Sequence, residues 1–374
     1  MLFRSLKRPT ARTRNGVASS GKFHEEFHEE FVRSPCGVCR ARRTDMGLPV
    51  RTDPRYSTTI PCEVHPHFIA YSDRRLESLL KHLHDAILRP VVFDLRDRSR
   101  TGLGRVARET VTAYRALFPC DPVTVLDAGG PRYSLRAQRE WPGLRRRHPN
   151  AVWVWFHWDV PWLAMPERSV VYVHDLIHLR YASPLRRWVA RIWIAHALRR
   201  ASRVITVSQA TAALLPCAST VIPNGVSATF ATTWSPRNYV LAVGADRPHK
   251  NLGLVEQMGL PFVRARGVSD SELAALYAGA RVVLVPSREE GFGLPVLEAF
   301  LSGAPVVASD IPALREVSGG LSTLVPADDI SAWRVAVHKA WNDGGAPEPR
   351  RQWAESFTWE RSARMLRNVF TELQ

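Results

Sequence analysis

The chain has 374 residues, of which 45% are hydrophobic and 23% charged, a composition typical of a globular protein with about two domains. No apolar run approaches the roughly 18 residues of a membrane-spanning helix. Lysine plus arginine total 51 against 35 acidic residues, a formal net charge of +16, which points to nucleic acid, an anionic membrane or phosphorylated substrates as partners. Nearly all of this charge is arginine, a choice that codon bias can produce without any function, so the five lysines carry more information: Lys7, Lys22, Lys81, Lys250 and Lys339.

The cysteines and the N-terminus give expectations about location. Five cysteines are too few, and odd in number, for a disulfide framework, which favours a reducing setting; they are Cys36, Cys39, Cys62, Cys120 and Cys217. The segment Met1–Thr10 is basic but lacks the apolar core of a secretory signal. We therefore expect a cytoplasmic protein, peripheral on the inner face of the membrane if it contacts one.

Residues 1–88 have no sustained periodicity and are predicted to be a poorly ordered basic extension with one helix near Arg74–Leu88. The tandem His24–Phe27 and His28–Phe31 mimics a zinc-protease motif, but it lies in a polar segment without an apolar face and is not read as catalytic. Cys36 and Cys39, with Cys62 and His65, have zinc-like spacing, which leaves a small metal site open.

From Val91 onward, short β-branched runs alternate with helical stretches, as expected for parallel sheets covered by helices on both faces. The predicted strands are Val91–Leu95, Val123–Leu126, Val152–Phe156, Val170–Val173, Val204–Val207, Val240–Val243, Val282–Val285 and Val306–Ala308. The predicted helices are Gly104–Leu117, Pro184–Arg200, Asp270–Ala278, Pro295–Ser302 and Ile330–Trp341. The alternation restarts after turn-rich segments near residue 235, so the sequence predicts two doubly wound halves, with ligands at the strand ends and in the cleft between the halves.

The most informative stretch is Val282–Pro312. A strand runs into a glycine-rich loop, and a helix then opens with Leu294 and Pro295, proline being suited to a first helical turn. The amides of Phe292, Gly293 and Leu294 stand at the N-terminus of that helix, a position that favours a phosphate or sugar oxygen. Glu290 and Glu298 lie before and about one turn inside the helix, so two carboxylates can address opposite ends of a nucleotide-sugar.

These residues resemble the family 4 retaining glycosyltransferases, which have the GT-B fold of two Rossmann-like domains and a cleft between them. The match is the two-glutamate signature, Glu290 and Glu298 with seven residues between, and it extends through Gly303–Pro312. Further matching segments are Thr101–Arg105, Val173–Leu176, Arg203–Ser208, Val221–Val226, Val243–Gly244 and Lys250–Asn251.

The resemblance divides the chain into the extension at 1–88, an acceptor-binding domain at 89–235, a shortened donor-binding domain at 236–355 and a helix at 356–374 that crosses back onto the first domain. It implies transfer of a sugar, mannose among the expected ones, from a nucleotide diphosphate donor to a glycan, lipid-linked or small acceptor with retained configuration. No cofactor, metal or nucleic acid is implied.

Residue roles follow from the same resemblance. Lys250 neutralises the leaving diphosphate with help from Arg247, Glu290 lies near the donor sugar, and Glu298 binds the ribose. Gly104 lies near the diphosphate, His174 contacts the sugar or acceptor, and Asp175 orients the loop. Two features depart from the family: Ala245 replaces a frequent arginine, and the span from Asn251 to Val268 is short.

Several alternatives stay open. The two glutamates can be ordinary helix-terminal carboxylates, and the chain can bind a nucleotide-sugar without turnover. Gly102, Gly104 and Ala107, with Asp127 after the next strand, also match a dinucleotide fingerprint, which would indicate an NAD-linked oxidoreductase. The basic helix Pro184–Arg200 either lies on an anionic membrane or packs its apolar stripe on the sheet.

Overall fold

The structure is a computed structural model that describes residues 56–58, 89–96, 102–127, 129–130, 133–244 and 246–374. The predicted helix near Arg74–Leu88, the His24–His28 motif and the cysteine cluster at Cys36 lie outside these residues, as does Ala245. Within them, two sheets form in one contiguous unit.

The first sheet has seven strands in the order β1-β3-β2-β4-β5-β6-β7. Its strands are β1 (Tyr56–Thr58), β2 (Val91–Asp94), β3 (Val123–Leu126), β4 (Val152–Trp155), β5 (Ser169–Val173), β6 (Arg203–Thr206) and β7 (Thr220–Val221). β1 is antiparallel to β3, and all the other pairs are parallel, with Val91 opposite both Val123 and Val152. Strands β2 to β5 are almost entirely buried, which explains their continuous apolar sequences.

The second sheet is entirely parallel, in the order β12-β11-β10-β8-β9. Its strands are β8 (Val240–Val243), β9 (Phe262–Ala265), β10 (Val282–Val285), β11 (Val306–Ser309) and β12 (Thr323–Val325). Each predicted strand forms within two residues of its predicted ends. The short span after Asn251 still provides a strand, because β9 pairs with β8 over its full length.

Helices cover the faces of both sheets. They are α1 (Gly102–Leu117), α2 (Leu135–Arg147), α3 (His178–Tyr181), α4 (Pro184–Arg200), α5 (Gln209–Ala212), α6 (Leu252–Gln257), α7 (Asp270–Gly279), α8 (Leu294–Leu301), α9 (Pro312–Ser318), α10 (Ile330–Asp343), α11 (Glu348–Glu355) and α12 (Trp359–Thr371). No described helix has the length and apolar composition needed to cross a bilayer.

The sheets meet at their carboxyl edges. The Ser208 hydroxyl, just after β6, donates to the carbonyl of Gly291 after β10 at 2.6 Å, and Glu316 of α9 accepts the amides of Gln209 and Ala210. The last helix returns to the first sheet, because the Phe370 ring of α12 packs on Phe93 and Tyr114. This is the GT-B arrangement that the sequence predicts, while the domain boundaries at 88, 235 and 355 stay predictions.

Candidate active site

Lys250 and Glu290 form an ion pair at the centre of the second sheet. The Lys250 Nζ donates to Glu290 Oε1 at 2.6 Å, and the Ser287 hydroxyl donates to the same oxygen at 2.7 Å. Lys250 follows β8 and Glu290 follows β10, which are neighbours at the point where the chain order of the sheet reverses. Ligands of open α/β sheets bind at the carboxyl ends of strands at such a point. The ion pair is therefore where the sequence predicts the donor.

Two glycines shape this pocket. The stem of Lys250 lies over Gly244, whose φ of +144° belongs to the region that favours glycine. A Cβ added at Gly291 would overlap the carbonyl oxygen of His174, so only glycine lets the Glu290 loop approach the first sheet this closely. The loop after β10 of the second sheet is therefore in direct contact with the loop after β5 of the first sheet.

The N-terminus of α8 is built as the sequence predicts. Gly293 caps the helix with φ +107°, Leu294 is its first residue, and Pro295 lies in the first turn. The Phe292 ring is buried and contacts Phe357 edge-on, with ring centroids 6.0 Å apart. Together these contacts fix the position of the Phe292–Leu294 amides beside Glu290.

Glu298 is 3% exposed, and both of its carboxylate oxygens have partners. Arg105 Nη1 donates to Oε1 at 2.9 Å, and the Tyr277 hydroxyl donates to Oε2 at 2.8 Å. Burial raises the pKa of the Glu298 carboxyl, while the nearby Arg105 charge and the Tyr277 hydrogen bond oppose that rise. Arg105 comes from α1 on the first sheet, so this buried carboxylate joins the two sheets.

The sequence does not reveal Arg105 or Tyr277 as members of the site. Arg105 also lies over the Phe230 ring, 5.0 Å from its centroid, and 3.7 Å from the Asp270 carboxylate. The sequence did carry a signal for Arg105, which ends the matching segment Thr101–Arg105 and follows Gly104, a predicted diphosphate contact. Gly104 itself is buried in the first turn of α1.

His174 directly follows β5, and its side chain is buried. Its Nε2 is 3.1 Å from the carbonyl of Phe156, which can only accept, so Nε2 carries the proton and Nδ1 a lone pair. Burial lowers the pKa of His174 to about 4, although Asp175 and the Phe156 carbonyl act in the opposite direction. The ring is neutral at physiological pH and offers a hydrogen-bond acceptor.

Two further predicted residues have different environments. The Asp175 carboxylate accepts the Ile177 amide at 3.0 Å and thereby holds the turn before α3, which agrees with a loop-orienting role. Arg247 is exposed at the start of the 3₁₀ turn Pro248–Lys250, and its carbonyl accepts the Lys250 amide. Its backbone positions Lys250, while its side chain faces solvent.

A pit at the carboxyl edge of the first sheet was not predicted from the sequence. It lies between β2 and β4, where the chain order of this sheet reverses, and its polar lining is Asp94, Arg96, His157 and Asp159. Asp94 holds Arg96 through two hydrogen bonds of 2.8 and 2.9 Å, and the Arg96 side chain is 4% exposed. Arg96 Nη1 is buried without a hydrogen-bond partner among the described residues.

The dinucleotide interpretation does not fit the geometry. The fingerprint glycines must lie in the turn between strand and helix, where the backbone approaches the pyrophosphate. Gly102 is instead the first residue of α1, and β2 already ends at Asp94, so the glycines do not closely follow the strand.

Comparison with solved structures identifies the fold class of this protein. The architecture is similar to sucrose-phosphate synthase from Thermosynechococcus elongatus, with a TM-score of 0.61 and 18% identity over 76% of this chain and 99% of that one. Anabaena HepE, solved with UDP and glucose, has a TM-score of 0.60 and 16% identity over the same shares. At these identities the similarity establishes the GT-B fold.

Sequence comparison then points to the family. Residues 233–343 match the family model described as glycosyl transferases group 1. The O-antigen chain mannosyltransferase RfbU of Salmonella typhimurium is 28% identical over 222 residues, which cover 48% of this chain and 62% of that protein. These similarities support the predicted resemblance to GT-B glycosyltransferases, while membership of family 4 and retention of configuration stay predictions.

Proposed function

We propose that this protein is a glycosyltransferase that moves a hexose from a nucleotide diphosphate donor to an acceptor hydroxyl with retained anomeric configuration. The observation that carries the proposal is the Lys250–Glu290 ion pair at the chain reversal of the second sheet, next to Gly291, whose backbone lies against the His174 carbonyl of the first sheet. The similarity to RfbU, a mannosyltransferase, and to HepE, which was solved with UDP and glucose, supports a hexose on a nucleotide.

The donor diphosphate is assigned to the pocket of Lys250. Its oxygens accept from the Phe292–Leu294 amides, with Arg247 at the outer side and Gly104 allowing close approach from the first sheet. Negative charge develops on the leaving phosphate as the glycosidic bond breaks, and a fixed ammonium stabilises it most at that moment. Glu290 holds the ammonium in place and faces the donor sugar.

In the reaction, the bond from C1 of the sugar to the diphosphate oxygen breaks and a bond from C1 to the acceptor oxygen forms on the same face. The acceptor proton passes to the departing phosphate oxygen. His174, neutral with a lone pair on Nδ1, accepts a sugar or acceptor hydroxyl and takes no proton. The chain's own residues supply every charge used in this scheme.

The acceptor is assigned to the open side of the pit of the first sheet, because the pit itself, about 20 Å³, has room for about one water molecule. There the partly exposed His157 imidazole donates to and accepts from acceptor hydroxyl groups, whereas the Arg96 and Asp159 side chains are buried. Such donors and acceptors suit a glycan or the sugar head of a lipid-linked molecule.

The nucleotide itself binds at Glu298, whose oxygens accept ribose hydroxyls once Arg105 gives way. Arg105 belongs to α1 and Glu298 to α8, so donor binding is expected to change the contact between the two sheets. Arg105 is therefore assigned as a positioning residue of the donor site.

The test is product formation from UDP- and GDP-linked glucose and mannose with simple glycosides as acceptors. We expect Lys250→Ala to lower kcat by at least about 100-fold, since removal of one charge-stabilising donor typically costs about 10²–10³ in kcat. Lys339→Ala, an exposed lysine on α10, is the matched control. A Lys250→Ala protein as active as the parent would refute the phosphate role, and an inverted anomer by NMR would refute retention.

Binding without turnover is the alternative, and a thermal-shift experiment separates it. A nucleotide-sugar at about 100 times its Kd should add about 2.7 kcal/mol of stability. Stabilisation that Glu298→Ala removes, with no product from any donor, would identify a binding protein rather than an enzyme.

A further inference from the structure

Helix α4 exposes a line of large apolar side chains. Leu185, Trp188 and Ile192 are 71%, 61% and 36% exposed, and their spacing of three and four residues puts them on one face of the helix. The opposite face packs on the first sheet through Ala190, Ile194 and Ala197. Packing on the sheet therefore does not explain why Leu185, Trp188 and Ile192 are apolar.

A neighbouring loop extends this surface. Leu163, between β4 and β5, is 98% exposed. The Trp162 ring stacks on His196 of α4 with centroids 4.3 Å apart, which sets Leu163 beside the helix. We call Leu163, Leu185, Trp188 and Ile192 the α4 face. Clustered exposed side chains of this size mark an interaction surface rather than ordinary surface variation.

The charge around the α4 face is of one sign. The helix contains five arginines and no acidic residue. These are Arg186, Arg187, Arg191, Arg199 and Arg200. None of them is in an ion pair with another residue of the described part of the chain. The surface thus combines apolar side chains, including a tryptophan, with arginines whose charge is not compensated locally.

We propose that the α4 face docks on an anionic lipid bilayer. The apolar side chains enter the boundary between headgroups and acyl chains, where tryptophan is favoured, and the arginines contact the lipid phosphates. Each basic residue near such a surface strengthens binding about fivefold. A second copy of this chain fits less well, because a symmetric contact would bring two arginine-rich helices together.

The α4 face is also close to the pit of the first sheet. The Trp193 ring of α4 contacts Tyr133 edge-on at 5.3 Å, and the Tyr133 hydroxyl is 2.9 Å from Nδ1 of His157 in the pit. A protein docked through α4 would hold the pit near the headgroup layer. This step rests on the proposed function and makes the acceptor a lipid-linked molecule, whereas the docking itself does not depend on any activity.

The test is co-sedimentation of the full chain with vesicles of phosphatidylglycerol and phosphatidylcholine in equal parts, and with vesicles of phosphatidylcholine alone, in the absence of any donor. We expect binding to the anionic vesicles that weakens with salt. Arg191→Gln together with Arg199→Gln should lower the partition coefficient about fivefold per arginine. The triple change Leu185→Ser, Trp188→Ser and Ile192→Ser should lower it by about tenfold or more.

Val335→Ser is the matched control. Val335 is 70% exposed, and it belongs to α10, a helix that packs on the second sheet and not on the first. This change should leave vesicle binding unchanged. All variants alter exposed residues, so unchanged thermal melting shows that each is folded. Parent binding that the triple change leaves intact would overturn the proposal, as would equal binding to both kinds of vesicle. A dimer that the triple change dissociates would assign the α4 face to a second copy instead.

Activity is measured separately. If vesicles bind but no sugar is transferred, the docking proposal stands and the proposed function fails. If the protein transfers sugar to a soluble acceptor but does not bind vesicles, the proposed function stands and the docking proposal fails.

Discussion

Replacing Arg105 by alanine tests how the two sheets are joined. The change leaves the Glu298 carboxylate, 3% exposed, with Tyr277 as its remaining partner. Removing one partner of a buried ion pair typically costs about 3–5 kcal/mol. The Arg105 side chain is 17% exposed and Tyr277 remains, so we expect the lower end, about 3 kcal/mol.

The assay is urea unfolding, with midpoint and slope measured for each variant. Glu298→Gln in the Arg105→Ala background removes the buried charge and keeps a polar group near Tyr277, so it should restore most of the lost stability. Arg364→Ala, at an exposed position on α12, is the control and should change stability by less than about 0.5 kcal/mol.

The pH dependence has a definite sign. Burial already raises the pKa of Glu298, and the Arg105 charge opposes this rise, so Arg105→Ala should raise that pKa further. An acid whose pKa is higher in the folded state loses stability as pH increases through the range between its unfolded and folded pKa values. The destabilisation should therefore be larger at pH 8 than at pH 5. A loss below about 1 kcal/mol at pH 8, or no recovery with Glu298→Gln, would refute this account of the contact.

Three further predictions concern stability. Because the pKa of His174 is lowered to about 4, stability should fall by about 3 kcal/mol as pH decreases from about 6.5 to 4, and His174→Asn should abolish that part of the slope in urea unfolding. Gly293→Ala should destabilise the protein, because φ is +107° there and an added Cβ would lie 2.8 Å from a methyl group of Leu314. Gly253→Ala, in α6, is the matched control: an added Cβ has open space, so it should stabilise the protein by about 0.5–1 kcal/mol in thermal melting. Arg367→Ala should cost about 2 kcal/mol and increase hydrogen exchange in α12, because Arg367 holds the buried carboxylate of Asp121 at 2.9 Å; unchanged exchange there would contradict this anchoring role.

The strands were predictable because parallel strands buried on both faces have continuous β-branched sequences. Helix α2 was not predicted. It is rich in arginine, contains Pro142, and buries only Ala137, Trp141 and Leu144. Those three residues lie at the four- and three-residue spacing of one helix face, a signal too weak to stand out among its charged neighbours.

The site was predictable where its residues follow strands. Lys250 and Glu290 lie after neighbouring strands, and the carboxyl ends of parallel strands share one edge, so their proximity follows from the element order alone. The contact between Arg105 and Glu298 does not follow, because it depends on how two separate sheets are placed. Arg96 and the pit were missed for a different reason: arginine is so common in this chain that one buried arginine is not visible in the sequence.

Under the proposed function, donor binding and the contact between the sheets would be coupled. Glu298 now accepts from Arg105 and Tyr277, and it is too buried to accept two ribose hydroxyls as well without movement of one partner. Tyr277 belongs to the same sheet as Glu298, whereas Arg105 belongs to the other. A nucleotide that takes the place of Arg105 would loosen one link between the sheets and leave those at Gly291 and Glu316 in place. The α1 end of the contact would then respond to the nucleotide, while the α9 end would keep its hydrogen bonds.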